Sequence, residues 1–236
     1  MLDGLIERHA AERVLVGVDF PLGYPAGTAA ALGLAGAPWV AMWGLLTELV
    51  RDDASNRNNR FEVASRLNER IGADAGPFWG CPASQVCSTL TSRKPVAPGL
   101  PEWRQCEQAL RRSGHRPASV WQLSGAGSVG SQTLVGIPVI SRLRTDHIDR
   151  VEVWPLTTGS DVGAVVAARP AVVFAEVWPA PYRPDLTAHP VRDAAQVRHV
   201  VAQLAAHDAR GTLAGWFAVS GPAAVAEEAA ILSPRA

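Results

Sequence analysis

Apolar residues Leu2, Leu5 and Ile6, followed by His9, recur at helical spacing, which predicts a short amphipathic helix over residues 2–12. The pattern then changes. Val14-Leu15-Val16-Gly17-Val18 is an unbroken apolar run closed by Asp19-Phe20-Pro21, as expected of a strand covered on both faces in a parallel sheet. Pro21 and Pro25 bracket a rigid loop leaving it. Helical spacing returns over 37–52, with Trp39, Trp43 and Leu46 on one stripe, and over 58–71, with Gly72 as the stop. Residues 73–101, rich in Pro, Gly and Ser, read as a long loop of the kind that often carries function. Further helices are predicted over 102–113 and 128–144, while 119–124 fits neither pattern.

Two more strands follow at Val151–Pro155 and Val173–Pro179, sharing a Glu-Val-Trp-Pro ending. A helix opens at Pro190 and runs to about His207, residues 213–219 suggest a last strand, and 222–232 a terminal helix. Strands separated by helical patterns predict an α/β fold with helices on both faces of the sheet. No linker divides the chain, so 1–236 reads as one domain with a helical and loop-rich insertion at about 36–145.

Composition narrows the function classes. The chain has 22 basic and 22 acidic side chains and a formal net charge of zero. That balance gives no global pull toward a long nucleic acid or an anionic membrane. No stretch approaches the length of a membrane span, and the first residues lack the order of a secretory signal. Cys81, Cys87 and Cys106 form no CxxC pair, so a reducing, cytoplasmic setting is the expectation.

Two acids stand out at the ends of apolar runs, Asp19 and Glu176. A buried carboxylate costs several kcal/mol unless it is paired, hydrogen-bonded or bound to metal. In open α/β sheets ligands bind outside the carboxyl ends of the strands, where both acids would lie. Asp193 shares a helical stripe with Val197, Val200 or Val201, and Leu204, so it is expected to face inward as a third member. Three hard oxygen ligands suit Mg2+ or Mn2+. Each acid also has a structural reading. Asp19 can cap its own loop, Asp193 can serve a helix N-terminus, and Glu176 can pair with Arg183 or Arg142.

Gly125, Gly127 and Gly130 match the G-x-G-x-x-G pattern of dinucleotide binding, ahead of a predicted helix. Ser128 and Gln132 add polar groups that suit an anion or phosphate. The preceding Ser119–Ser124 is a poor buried strand, which weakens the match.

Several blocks in a fixed order resemble a known family. They are Val16-Gly17-Val18-Asp19-Phe20-Pro21-Leu22-Gly23, Gly130-Ser131-Gln132-Thr133 with Ile137-Pro138, Ala175-Glu176-Val177-Trp178-Pro179, and Arg192-Asp193-Ala194-Ala195-Gln196-Val197. Together, over about residues 13–205, they resemble uncharacterised proteins with a predicted RNase-H-like fold and nuclease-like activity. The resemblance implies a mixed sheet and a divalent-metal site in which Asp19, Glu176 and Asp193 occupy the matching positions. It also implies an opening antiparallel meander whose first strand carries the primary metal-binding Asp. The given sequence starts at the helix that would follow, so the carboxylate set is expected to be incomplete and the activity in doubt.

The leading expectation is therefore a Mg2+- or Mn2+-dependent phosphodiester hydrolase acting on a small or short nucleic-acid or phosphate substrate. The alternatives are a non-catalytic domain binding a ligand or partner, and a nucleotide-cofactor protein using the glycines of 125–130. An unpaired sheet edge would favour a homodimer.

Overall fold

The computed structural model describes residues 2–72, 75–96, 99–161, 163, 171–217, 219 and 221–233. Three strands form its sheet: β1 (Val14–Val18), β2 (Val151–Val153) and β3 (Val172–Glu176), in the order β1-β3-β2. Val14 pairs with Val172 and Val18 with Glu176, while Val151 and Val153 pair with Val172 and Phe174. All three described strands are parallel, which corrects the expectation of a mixed sheet. Parallel pairing needs a connection that returns the chain to the same end of the sheet, and the helices between Val18 and Val151 supply the one from β1 to β2.

Alternation along the strands divides the interior into two layers. On one face, Val14, Val16, Val18, Phe174, Val151 and Val153 meet the helices drawn from the first two thirds of the chain. These are α1 (Leu2–Arg8), α3 (Pro38–Leu49), α4 (Arg60–Ile71) and α6 (Gly130–Asp146); α2 (Thr28–Ala31) packs on α3, and α5 (Gln105–Arg112) against the turn at Ala224–Glu228. Pro38 opens α3 and Gly72, at φ 81°, closes α4, as their residue types require. Tyr24, Phe78 and Trp121 form an aromatic knot in this layer, with Phe78 edge-on to Trp121 at 4.9 Å between centroids.

The long loop after α4 is anchored by one side chain. Buried Asn68 donates to the carbonyls of Phe78 and Thr89 and accepts from the Phe78 N–H. Residues 73, 74, 97 and 98 of the predicted loop lie outside the described residues.

On the opposite face, Leu15, Val173, Ala175 and Val177 meet α7 (Arg192–Ala209) and the segment after it. Leu213–Trp216 is a 3-10 turn where a strand was expected. Leu213, Trp216 and Phe217 all pack into this second layer, and a turn with a three-residue repeat can deliver them to one side where strand alternation cannot.

The terminal helix expected over 222–232 is helical only over 222–228, and its second part is corrected. Ala224–Glu228 makes a single π-helical turn, Ala229 takes φ 57°, and the chain then runs extended, with Ile231 bridging Glu176. The pull comes from the two acids of that turn. Glu227 accepts from the N–H groups of Gly27 and Ala29 at 2.8 and 2.7 Å. Glu228 accepts from those of Ala26 and Gln105 at 2.9 and 2.8 Å. The C-terminal segment thus clasps the loop that leaves β1. Gly23 lies so close to the carbonyl of Glu227 that any side chain there would collide with backbone.

Candidate active site: an acidic cleft beside the first strand

β3 is buried along its whole length, whereas β1 is only half-buried and its Gly17 is exposed. The expectation that β1 is covered on both faces is therefore corrected, because it is an edge strand of a three-stranded sheet. Beside it opens a cleft of about 1490 Å3 running between β1, α7 and the turn after α7. Leu15, Val197, Val201, Leu204, Leu213 and Phe217 give it an apolar wall. Asp19 and Asp193 stand among its lining residues as carboxylates.

Asp19 follows β1 directly and is exposed to the cleft rather than buried, which corrects its reading as a charge inside the core. Its environment is nevertheless unusual. Partial withdrawal from water, then the negative charges of Glu176 and Asp193, push its carboxyl from 3.8 up to about 6. Surface accessibility and this shift agree once the cleft is considered. A carboxylate on the wall of a cleft lined mainly by apolar side chains can be reached by solvent from one side and still be poorly hydrated.

Asp193 occupies the first turn of α7 and is exposed. The predicted inward stripe is corrected too. Ala195 and Val200 face the core, while Asp193, Val197 and Val201 lie on the side that lines the cleft. Val197 and Val201 remain 61% and 57% exposed, so their apolar character reflects the cleft and not the core.

Glu176 is 4% exposed at the end of β3. Arg104, fully buried at the start of α5, donates Nη1 to Oε2 of Glu176 at 2.6 Å and Nη2 to Oε1 at 2.7 Å. The same guanidinium donates to Glu107 Oε1 through Nε (3.0 Å) and Nη2 (2.8 Å), and to the Glu228 carbonyl. Two carboxylates share one guanidinium, which stays charged. Burial lifts the Glu107 carboxyl and the charge of Arg104 opposes that lift. The ion pair anticipated for Glu176 with Arg183 or Arg142 is thus made instead with Arg104.

Sequence reasoning missed Arg104, Glu107, Glu227 and Glu228. The only local signal is the three-residue spacing of Arg104 and Glu107, and next to Arg111 and Arg112 it looks like an ordinary solvated helix face.

Both oxygens of Glu176 are therefore engaged. Among the described residues no group of three or more His, Cys, Asp or Glu side chains is arranged to hold a metal ion. The structure brings Asp19, Asp193 and Glu176 within electrostatic reach, with two in the cleft and one behind it.

No family model, curated protein or solved structure matches this chain.

The glycine loop lies elsewhere. Gly125 (φ 106°) and Gly127 (φ 74°) make an exposed turn ahead of α6, and Gly130 is buried against the carbonyls of Val120 and Gln122. The segment before it is not a strand of the sheet, since Gln122 makes only an isolated bridge with Trp79. Its polar groups serve the loop itself. Gln122 donates to the Ser124 carbonyl, Ser124 to that of Gly80, and the Ser128 N–H to that of Gly125. Gln132 is exposed on the first turn of α6. No described helix is long and apolar enough to cross a membrane.

Proposed function

We propose that the acidic end of this cleft holds a divalent cation, Mg2+ or Mn2+, and that the chain hydrolyses phosphodiesters in a small or short nucleic-acid substrate there. The observation that carries this reading is the Asp19 carboxyl, lifted to about 6 by poor hydration and by the charges of Glu176 and Asp193. A site that disfavours its own ionised carboxylate gains most from a bound cation.

The donor chemistry fits in part. Asp19 and Asp193 offer hard oxygen ligands facing the cleft, and Mg2+ sites commonly use one or two carboxylates with water and substrate phosphate completing the shell. Glu176 does not fit as a ligand while Arg104 holds both of its oxygens; its part is the negative potential behind the site. A cation bound by Asp19 and Asp193 would polarise a phosphoryl oxygen and lower the pKa of a bound water. The chain's own residues do the remaining work. Val197, Val201, Leu204 and Phe217 supply an apolar wall for the base or other uncharged part of a substrate and limit water in the cleft. The order of sequence blocks that resembles RNase-H-like proteins supports the same chemistry, as does a balanced charge suited to a short substrate.

Isothermal titration with Mn2+, paired with Mn2+-dependent cleavage of a chromogenic phosphodiester, tests the reading. Binding and cleavage are both expected, and both are lost in Asp19→Asn. Absent binding, or binding unchanged in Asp19→Asn and Asp193→Asn together, overturns it. Binding without cleavage would select the second reading, a ligand-binding domain, which the apolar wall of the cleft favours.

A further inference from the structure

Among the described residues the outer edge of β1 is unpaired. The Val14 N–H bonds to the Ala171 carbonyl and the Val18 carbonyl accepts from Val177, so the even residues of β1 turn their backbone toward β3. By alternation, Leu15 and Gly17 turn theirs outward. Among the described residues no hydrogen bond is made to either from that side. Natural edge strands are protected by charge, proline or a bulge, and Val-Leu-Val-Gly-Val has none of these within its length.

The residues flanking the strand are arranged symmetrically. Arg13 and Asp19 lie three positions on either side of Val16, and both line the cleft. We propose that β1 pairs with β1 of a second copy of this chain, antiparallel and two-fold symmetric about Val16, to give a continuous six-stranded sheet. In this register Leu15 of each copy faces Gly17 of the other, and each pair exchanges both main-chain hydrogen bonds. Arg13 faces Asp19, so opposite charges meet at both ends of the seam. A two-fold interface requires such self-complementarity, and a shift of the register by one pairing step separates the charges.

The side chains agree. Leu15 belongs to the α7 face of the sheet, and Gly17 has no side chain there, the space over it being filled by Val177, 2.9 Å from where a Cβ would lie. Leu15 of the second copy lies across Gly17 against that same valine. Val197 and Val201 of α7 stand exposed on the same side as the seam, where a second α7 would cover them. Pairing also brings Arg13 of the second copy to the acidic end of the cleft. This places a cation-independent positive charge beside Asp19. The pairing itself does not rest on the cation reading, because its test reads mass alone.

Sedimentation equilibrium of the full chain in metal-free buffer decides it. A dimer is expected. Leu15→Pro removes the outward N–H together with a partly buried side chain of the α7 layer, while every bond to β3 is kept, so the circular dichroism spectrum is expected to stay unchanged and the chain to run as monomer. Arg13→Glu, at a surface position, is expected to weaken the dimer by about ten-fold or more, and Arg13→Glu combined with Asp19→Arg to restore it. A wild-type monomer throughout the concentration series overturns the proposal. So does a dimer that survives both Leu15→Pro and Arg13→Glu.

Discussion

Arg104 and Glu176 form a two-pronged ion pair, Nη1 to Oε2 at 2.6 Å and Nη2 to Oε1 at 2.7 Å, between residues 72 positions apart and both shielded from water. This pair fixes the end of β3 against the start of α5. Through the Glu228 carbonyl it also reaches the C-terminal clasp. It decides which acids of the cleft remain available for chemistry.

Removing the cation from this network leaves two buried carboxylates facing each other. Arg104→Ala is expected to lower stability by about 3–5 kcal/mol, the usual cost of breaking a buried pair from one side. Glu176→Gln keeps an acceptor for the guanidinium and leaves Glu107 in place, so it should be distinctly milder. Urea denaturation of the two variants checks the order, and equal losses would contradict the shared-guanidinium geometry.

The Asp19 carboxyl makes stability depend on pH in a defined direction. Its folded value of about 6 lies above the ordinary 3.8, so the folded chain holds this proton more tightly than the unfolded chain does. The contribution of Asp19 is most favourable below about pH 4, declines between 3.8 and 6, and is unfavourable and constant above that range. In the monomeric Leu15→Pro background, where no second Arg13 offsets the charge, Asp19→Asn is expected to raise the melting temperature at pH 7 and to leave it unchanged near pH 4. Thermal melts across that range, compared with Leu15→Pro alone, provide the check. Added Mn2+ should raise the melting temperature of Leu15→Pro at pH 7 and not that of the double variant.

Asn68 satisfies three backbone groups of the loop after α4. Asn68→Ala leaves the Phe78 N–H and carbonyl without partners inside the aromatic knot, at about 1–3 kcal/mol for each group unmet. Amide hydrogen exchange should show the loop around Phe78 and Thr89 losing protection first.

Gly23→Ala tests the clasp. A methyl group there meets the backbone of Glu227 and Glu228, which cannot move without releasing Ala26, Gly27 and Ala29. The expected loss is about 1–3 kcal/mol. It should be accompanied by faster proteolysis of the C-terminal segment.

Local patterns carried the sequence reading a long way, and the reason is visible in particular elements. Pro38 and Gly72 punctuate their helices as their backbone preferences demand, and the strands read at 14–18 and 173–179 both form, the second over Val172–Glu176. The reading failed where a non-local partner outweighed local preference. Residues 222–232 read as one helix, but it stops at Glu228, where Glu227 and Glu228 hold backbone donors about 200 positions away and the chain beyond them runs extended. The stripe of Asp193, Val197 and Val201 shows the correct helical period. Period alone cannot tell a core from an open cleft, since both are lined by apolar side chains.

Sequence by itself therefore determined the α/β class, the strands, most of the helices, and the interest of Asp19, Glu176 and Asp193, because each depends on neighbours within one or two turns. Only the tertiary structure decided how those acids divide. Arg104 lies 72 positions from Glu176, and no local pattern specifies which buried carboxylate a distant guanidinium will hold. That one contact commits Glu176 to the interior and leaves Asp19 and Asp193 facing the cleft.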